Sequence, residues 1–395
     1  MRILIAEDDL ISRRLLQRRL ENWGHQVVTA ENGTQAWEIY RQENFPMVIS
    51  DWMMPEMDGV ELIRRIRENR KTGYVYTILL TAKQQKKDLI SGMDAGADDF
   101  LTKPFDAEEL RVRIRAGERI IELEQSLAEQ NRKLFQANQR MHHHLDAAAL
   151  IQKSLLPPPD YCLPGVKVAW YFKPCEKLAG DIFNYFPLNE EFNGFYILDV
   201  SGHGVSAALR AVMLSQLLNP QGGHSSLLVH RDSGASAQRI VPPADVANQL
   251  NRNFPLDQET GQFFTLFYGI YHRRKKQLNW ISAGHPAAIY LPAGKPARFL
   301  DAPGFPIGFN DTGTYHEKTL ALHSGDRLFL YSDGITEARN PADILLGKDH
   351  IVSKLVETRT SPLDKSLDSL LQTIRKWSGE EDLQDDVTML AIEIE

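Results

Sequence analysis

The sequence predicts a doubly wound domain with a five-stranded parallel sheet, a coiled-coil linker helix, and a mixed α+β domain. Three observations carry that prediction. From Met1 to about Ala116, five short apolar runs alternate with helical stretches, the pattern of a parallel sheet buried on both faces. From Ile120 to Leu155, Ile120, Leu127, Leu134, Met141, Ala148 and Leu155 recur every seven residues, the period of a coiled coil. From about Asp160 to Glu395, alternating strand-like runs take over, interrupted by three longer helical stretches.

In the first part, Ile3–Ala6, Gln26–Thr29, Met47–Ser50, Thr77–Leu80 and Asp99–Leu101 read as strands. Leu10–Asn22, Thr34–Gln42, Val60–Asn69, Lys86–Ala95 and Ala107–Arg115 read as the helices between and after them. The linker has no Gly or Pro and is rich in Glu, Gln, Arg and Ala. Leu123, Ala137 and Ile151 fill part of a second seam, Gln130 and His144 weaken it, and Pro157–Pro158–Pro159 ends the helix. A solvated spacer is the competing reading, but the unbroken heptad favours a helix that pairs with a second copy. In the third part the strands are Val166–Phe172, Gly194–Val200, Phe263–Tyr271, Leu278–Ala283, Ala287–Leu291, Asp326–Ser332 and Val387–Ile394. Helices fit Val205–Leu218, Ala244–Asn253 and Leu363–Trp377, and Pro220–Ile240, rich in Gly, Ser and His, reads as a mobile surface loop. The domain bounds are set at 1–118, 119–156 and 157–395.

Composition excludes several classes. Lys plus Arg number 45 and Asp plus Glu 52, a net charge of −7, which is the wrong sign for a general nucleic-acid binder. The two cysteines, Cys162 and Cys175, lack CxxC spacing, so neither a disulfide framework nor a cysteine zinc site is expected, and both read as packing residues. No apolar run approaches the ~18 residues of a membrane-spanning helix. MRILIAEDD reads as a strand running into carboxylates, not as a signal peptide. A cytoplasmic protein with no membrane and no nucleic-acid partner is therefore expected.

Strand ends in the first part deliver charge to one crevice, where chemistry sits in doubly wound sheets. Glu7 and Asp8 follow the first strand, Asp51 the third, Thr81 the fourth and Lys103 the fifth. Three close carboxylates repel one another unless a divalent cation sits among them, and oxygen-only ligands favour Mg²⁺. A lysine to pair with an anion and a threonine to hydrogen-bond it complete the equipment for an acyl-phosphate on Asp51. The stretches ILIAEDD, MVISDWMMPEMDG, ILLTA and ADDFLTKPF resemble the CheY-like receiver domain of bacterial two-component response regulators. The resemblance implies phosphorylation of Asp51 by a sensor histidine kinase. It also implies Mg²⁺ held by Glu7, Asp8, Asp51 and the Met53 carbonyl, Thr81 and Phe100 as the switch pair, and Lys103 as the phosphate partner.

The third part places aspartates in glycine-rich turns: Gly180–Asp181, DVSGHG from Asp199, YSDG from Tyr331, and DDVT from Asp385. Glycine lets the backbone approach a ligand closely, and four carboxylates brought together would make a two-metal oxygen site. His203 is either a proton donor or a structural histidine. There is no phosphate-cradling Gly-rich loop and no Gly-x-Ser-x-Gly elbow. The three histidines His142–His144 point different ways on one helix and do not make a metal tract.

The ordered set AALIQKSLLP, AGDIFNYF, LDVSGHGVSAAL, FFTLFYGIY, ISAGHPAAIYL, PGFPIGF, LHSGDRLFLYSDGITEA and DDVTMLAI resembles the bacterial SpoIIE-type metal-dependent serine/threonine protein phosphatases. That resemblance implies a β-sandwich flanked by helices and two Mn²⁺ or Mg²⁺ ions held by Asp181, Asp199, Asp333, Asp385 and the Val200 carbonyl. Asp386 is the alternative to Asp385, since sequence does not separate adjacent acids. Asn184 departs from the usual acid after GD-x-[FY]. The resemblance further implies an in-line attack by hydroxide on a phosphoserine or phosphothreonine, with no cysteine nucleophile, and a phosphorylated STAS-type anti-anti-sigma protein as substrate. Two rivals stand beside this reading. One is a catalytically inert phosphorelay or binding protein. The other is a nucleic-acid-binding regulator, opposed by the acidic balance and the missing helix-turn-helix pattern.

Overall fold

The computed structural model describes residues 1–69, 73–82, 92–222, 225–231, 238–256, 261–301, 304–310, 312–379 and 384–395. The chain divides into two compact units, Met1–Arg140 and Met141–Glu395.

In the first unit, β1 (Arg2–Ala6), β2 (Gln26–Ala30), β3 (Met47–Asp51), β4 (Tyr76–Thr81) and β5 (Asp99–Thr102) form a parallel sheet in the order β2-β1-β3-β4-β5. Alternate residues feed opposite faces: Ile3, Ile5, Met47 and Ile49 pack on one side, Leu4, Ala6 and Val48 on the other. The helices α1 (Leu10–Asn22), α2 (Gly33–Gln42) and α3 (Gly59–Glu68) start at Asp9, Asn32 and Asp58. Each of these side chains accepts the backbone N–H three residues on, at 2.8 Å. The strand order reverses between β1 and β3, so the carboxyl ends of β1, β3 and β5 border one crevice. The helix expected at Lys86–Ala95 falls largely outside the described residues; Gly92–Asp94 is helical.

One helix, α4 (Ala107–Ser154), replaces the separate helix and linker that the sequence suggested. It runs through Gly117, where a Cβ would lie 2.5 Å from both Met47 Cε and Tyr76 Cδ1. Glycine is there for close packing against the core, not to break the helix. Along α4 the heptad residues Leu123, Leu127, Leu134 and Met141 are exposed, Leu134 to 68%. Among the described residues, no helix is long and apolar enough to cross a membrane.

The second unit holds two five-stranded antiparallel sheets. One contains β7 (Asp181–Pro187), β8 (Phe192–Val200), β11 (Phe264–His272), β12 (Gln277–Ala283) and β15 (Lys318–Ala321). The other contains β6 (Val166–Lys173), β13 (Ala288–Leu291), β14 (Arg298–Leu300), β16 (Arg327–Tyr331) and β17 (Val387–Ile394). Phe183, Tyr196 and Phe267 of the first sheet share a core with Leu328, Leu330, Leu390 and Ile392 of the second, which is a sandwich. The alternate residues Phe329, Tyr331, Met389 and Ala391 face outward and are covered by α8 (Gly347–Glu357) and α9 (Leu363–Trp377). Helices α5 (Val205–Leu217) and α6 (Pro243–Asn253) supply Ala207, Leu214, Val246 and Leu250 to the first core. A one-turn helix, α7 (Asp333–Thr336), follows β16.

The segment 220–240 is not simply a loop. Its described parts include β9 (Val229–Arg231) paired with β10 (Gln238–Ile240), and Leu227 and Leu228 are buried. The Gly, Ser and His content hid three consecutive apolar residues, Leu227–Val229, that reach the core.

Candidate functional site

In the first unit, Lys103 Nζ lies 2.7 Å from both Asp51 Oδ2 and Glu7 Oε2. One ligand oxygen from each of Glu7, Asp8 and Asp51 lies within 4.8 Å of the others, so the structure brings this predicted set together. Burial, reinforced by the Asp51 charge, raises the Glu7 carboxyl to about 6. Burial pulls the Lys103 ammonium down, but the hydrogen bonds it donates to Asp51 and Glu7 outweigh that and its pKa is raised. The backbone holds the crevice closely. A Cβ on Gly59 would sit 2.1 Å from the Asp51 carbonyl oxygen, and the buried Arg13 guanidinium donates to the carbonyls of Glu7 (2.7 Å) and Asp8 (3.1 Å). Thr81 is fully buried, and its carbonyl accepts the Lys103 N–H at 2.7 Å. Phe100 is half-buried against Trp52 and Leu79, and the Met53 side chain is exposed. Oxygen donors alone, with the Glu7 carboxyl raised by burial, fit a hard divalent cation.

In the second unit, Asp181 on β7 stands directly opposite Asp199 on β8. Asp181 is fully buried, and burial followed by the Asp199 and Asp386 charges raises its carboxyl well above the ordinary range. Thr388 Oγ1 donates to its Oδ2 at 2.5 Å. Burial raises Asp199 to about 8, helped by the charges on Asp333 and Asp385. Asp333, at the start of α7, is raised to about 6 by burial and by Asp385 and Glu337. Asp385 is raised too, by burial first and against the hydrogen bond from the Asp386 N–H. Carboxyl groups that suppress one another's ionisation in this way fit a site that binds divalent cations through oxygen. The Val200 N–H donates to the Gly180 carbonyl at 3.3 Å. A Cβ on Gly334 would lie 2.2 Å from the Asp386 carbonyl oxygen, which explains the glycine of YSDG.

The adjacent acids that sequence left open differ in their surroundings. Asp386 is buried and accepts main-chain N–H groups of Cys175 (2.8 Å), Gly180 (2.7 Å) and Asp181 (3.5 Å). It is spent on holding the loop ahead of β7. Asp385 is exposed, and its Oδ1 accepts the Asp386 N–H at 2.8 Å.

Sequence reasoning missed several residues here. Glu337, one helical turn after Asp333, adds a fifth carboxylate whose charge reaches Asp199, Asp333 and Asp385; it lies inside the quoted SDGITEA motif, and its i+4 spacing was the available signal. Gln152, near the end of α4, pairs with both main-chain groups of Ala179, donating to the carbonyl at 2.7 Å and accepting the N–H at 3.0 Å. His203 is exposed, with Nδ1 2.9 Å from Glu176 Oε1. Asn184 accepts the Tyr185 N–H. The packing role expected for the cysteines does not hold. Cys162 is exposed, and Cys175 Sγ lies within 4.8 Å of carboxylate oxygens of Asp385 and Asp386. Burial and the Asp386 charge push the Cys175 thiol up to about 12, which favours its protonated form.

A family model for the response regulator receiver domain matches residues 3–115, and one for stage II sporulation protein E (SpoIIE) matches residues 192–395. The transcriptional regulatory protein SrrA of Staphylococcus aureus is 37% identical over 114 residues, 29% of this chain and 46% of SrrA. The chain thus spans less than half the length of the curated relatives it matches. The SiaA-PP2C domain of Pseudomonas aeruginosa shares the fold, with a TM-score of 0.54 at 20% identity over 66% of this chain and 99% of that one. The PP2C phosphatase domain of SpoIIE from Bacillus subtilis, solved with a fragment of its regulatory domain, gives a TM-score of 0.49 at 19% identity over 60% and 64%. A Francisella response regulator receiver domain gives 0.29 at 30% identity over 30% and 96%. The SpoIIE match takes in more than half of the chain, so the chain belongs to the SpoIIE family and carries a response regulator receiver domain ahead of that match.

Proposed function

We propose that this protein is a cytoplasmic response regulator whose phosphorylation on Asp51 controls a metal-dependent phosphoserine/phosphothreonine protein phosphatase. The observation that carries the reading is that Asp181 and Asp199 stand opposite each other on neighbouring strands, with Asp333 and Asp385 close enough for their charges to act on Asp199. These residues and the Val200 carbonyl would hold two Mn²⁺ or Mg²⁺ ions. Such ions lower the pKa of a water nucleophile and stabilise charge on the phosphoryl group. The chain's own part is positional. Thr388 orients Asp181, Asp386 fixes the loop before it, and the compact turn at Gly334 brings Asp333 up to Asp385. In the receiver, Glu7, Asp8, Asp51 and the Met53 carbonyl would hold Mg²⁺. Lys103 would pair with the phosphoryl group delivered by a histidine kinase, and Thr81 and Phe100 would respond to it. A phosphorylated STAS-type anti-anti-sigma protein is the proposed substrate, supported by family membership. The proposed functional bounds are 1–118, 119–156 and 157–395. Hydrolysis of a phosphoserine protein with Mn²⁺ tests the reading. Turnover should stop on adding EDTA and return with excess Mn²⁺, and turnover indifferent to EDTA refutes the mechanism.

A parallel homodimer through 120–155 is proposed as the link between the two sites, supported by the exposed seam Leu123, Leu127, Leu134 and Met141. Leu127→Glu with Leu134→Glu places charge at the seam in each helix. The double variant is expected to sediment as a monomer and to lose the response of phosphatase activity to acetyl phosphate. A monomer that still responds normally rules the dimer route out.

A further inference from the structure

His285 sits in the turn between β12 of one sheet and β13 of the other, and it is buried. Its Nδ1 lies 2.8 Å from Thr265 Oγ1, and its carbonyl accepts the Ser282 hydroxyl at 3.0 Å. The turn is tight: Gly284 has φ +70°, and a Cβ there would lie 2.7 Å from the Pro306 backbone nitrogen. The main chain of Tyr331, the last residue of β16, acts on the ring, while the buried Nε2 has no hydrogen-bond partner among the described residues.

The partners of this ring are placed at the acidic site. Thr265 on β11 is directly opposite Asp199 on β8, and Asp199 is directly opposite Asp181 on β7. Directly opposed residues share a face of the sheet, so Thr265, Asp199 and Asp181 form a row across three strands. Tyr331 lies two residues before Asp333. The imidazole therefore spans from the strand row carrying two of the acids to the strand leading into a third. A purely space-filling role does not require a polar ring, because an apolar side chain would fill the volume without burying two nitrogens. Burial holds the imidazole neutral, with its pKa pushed down to about 3, so it has one N–H to place. With that proton on Nδ1, the ring donates to Thr265 Oγ1, and the Thr265 hydroxyl keeps its own proton for the Asp199 carboxylate on the opposed residue.

We propose that His285 and Thr265 are positioning residues for Asp199: the imidazole fixes the Thr265 hydroxyl so that it donates to that carboxylate. Groups that support metal-facing carboxylates from behind typically contribute 10–100-fold in metal affinity or activity. The activity arm of the test rests on the phosphatase reading; the binding arm does not.

The full chain carrying Asp51→Asn, which weakens the receiver's own metal site, provides the background. Mn²⁺ binding is measured by calorimetry, and p-nitrophenyl phosphate hydrolysis is measured alongside. Thr265→Val and His285→Leu should each weaken Mn²⁺ binding by roughly 10-fold or more and lower kcat similarly, with KM for p-nitrophenyl phosphate unchanged. The double variant should be no worse than the poorer single one, because the two residues act as a unit. His285→Asn should retain most of the binding, since its amide reaches Thr265 where Nδ1 does. Wild-type Mn²⁺ affinity in folded Thr265→Val, or losses that multiply in the double variant, overturns the proposal. If His285→Leu fails to fold, Thr265→Val and His285→Asn decide it. A chain that binds Mn²⁺ with these variant effects but hydrolyses nothing refutes the phosphatase reading and leaves the positioning pair standing.

Discussion

Asp199→Asn is expected to lower turnover of a phosphoserine protein by at least ~100-fold, and Asp333→Asn by a similar factor. Both carboxylates would hold cations, and an amide offers a neutral, weaker donor. The same substitution should act on stability with the opposite sign. The Asp199 carboxyl is raised from 3.8 to about 8 in the folded, metal-free chain, so the native state binds a proton there that the unfolded state has released. Stability from this group is complete below about pH 4 and is lost as pH rises through about 8. Asp333, raised to about 6, acts in the same direction over a narrower window. In EDTA, Asp199→Asn should therefore melt higher than wild type at pH 8, and the gap should close toward pH 4. Thermal melts across that range check it. A variant destabilised at pH 8 would mean that Asp199 is not held against its own charge.

Asp51→Asn should abolish labelling by acetyl phosphate in Mg²⁺, since among the described residues it removes the one carboxylate paired with Lys103 other than the more buried Glu7. Acid-stable or full-level labelling in the variant would move the acceptor elsewhere. Glu7, held at about 6, is half-protonated near that pH. Labelling of the wild type should accordingly fall as pH drops below about 6, where a charged oxygen on the crevice is lost.

Much of this was legible in the sequence, for a physical reason. Parallel strands buried on both faces leave continuous apolar runs, and each ends where chemistry must sit, so Glu7, Asp51 and Lys103 stood out at strand ends. The aspartates of the second unit were marked by glycines that the backbone needs, as at Gly334. What stayed hidden depends on partners far apart in the chain. Asp385 and Asp386 are chemically identical neighbours, and the main-chain groups that Asp386 accepts, from Cys175 and Gly180, lie some 200 residues away. Gln152 and His285 likewise read as ordinary helix and turn residues until the groups they bond are seen. Gly117 is the converse case: a residue that usually weakens a helix sits where a Cβ would run into Met47 and Tyr76.

The Gln152 pairing bears on how this chain can be divided for experiments. The amide closes both hydrogen bonds of a buried peptide group just ahead of Gly180 and Asp181. A fragment starting at Pro157 would leave that N–H and C=O without partners, each at a cost of roughly 1–3 kcal/mol. It would also lose the ion pair between Lys177 and Asp146. A fragment starting at Met141 keeps both. Truncations that look equivalent on a domain map should thus differ sharply in solubility and yield, and a weak or inactive shorter fragment would report a damaged peptide seat, not a missing regulator.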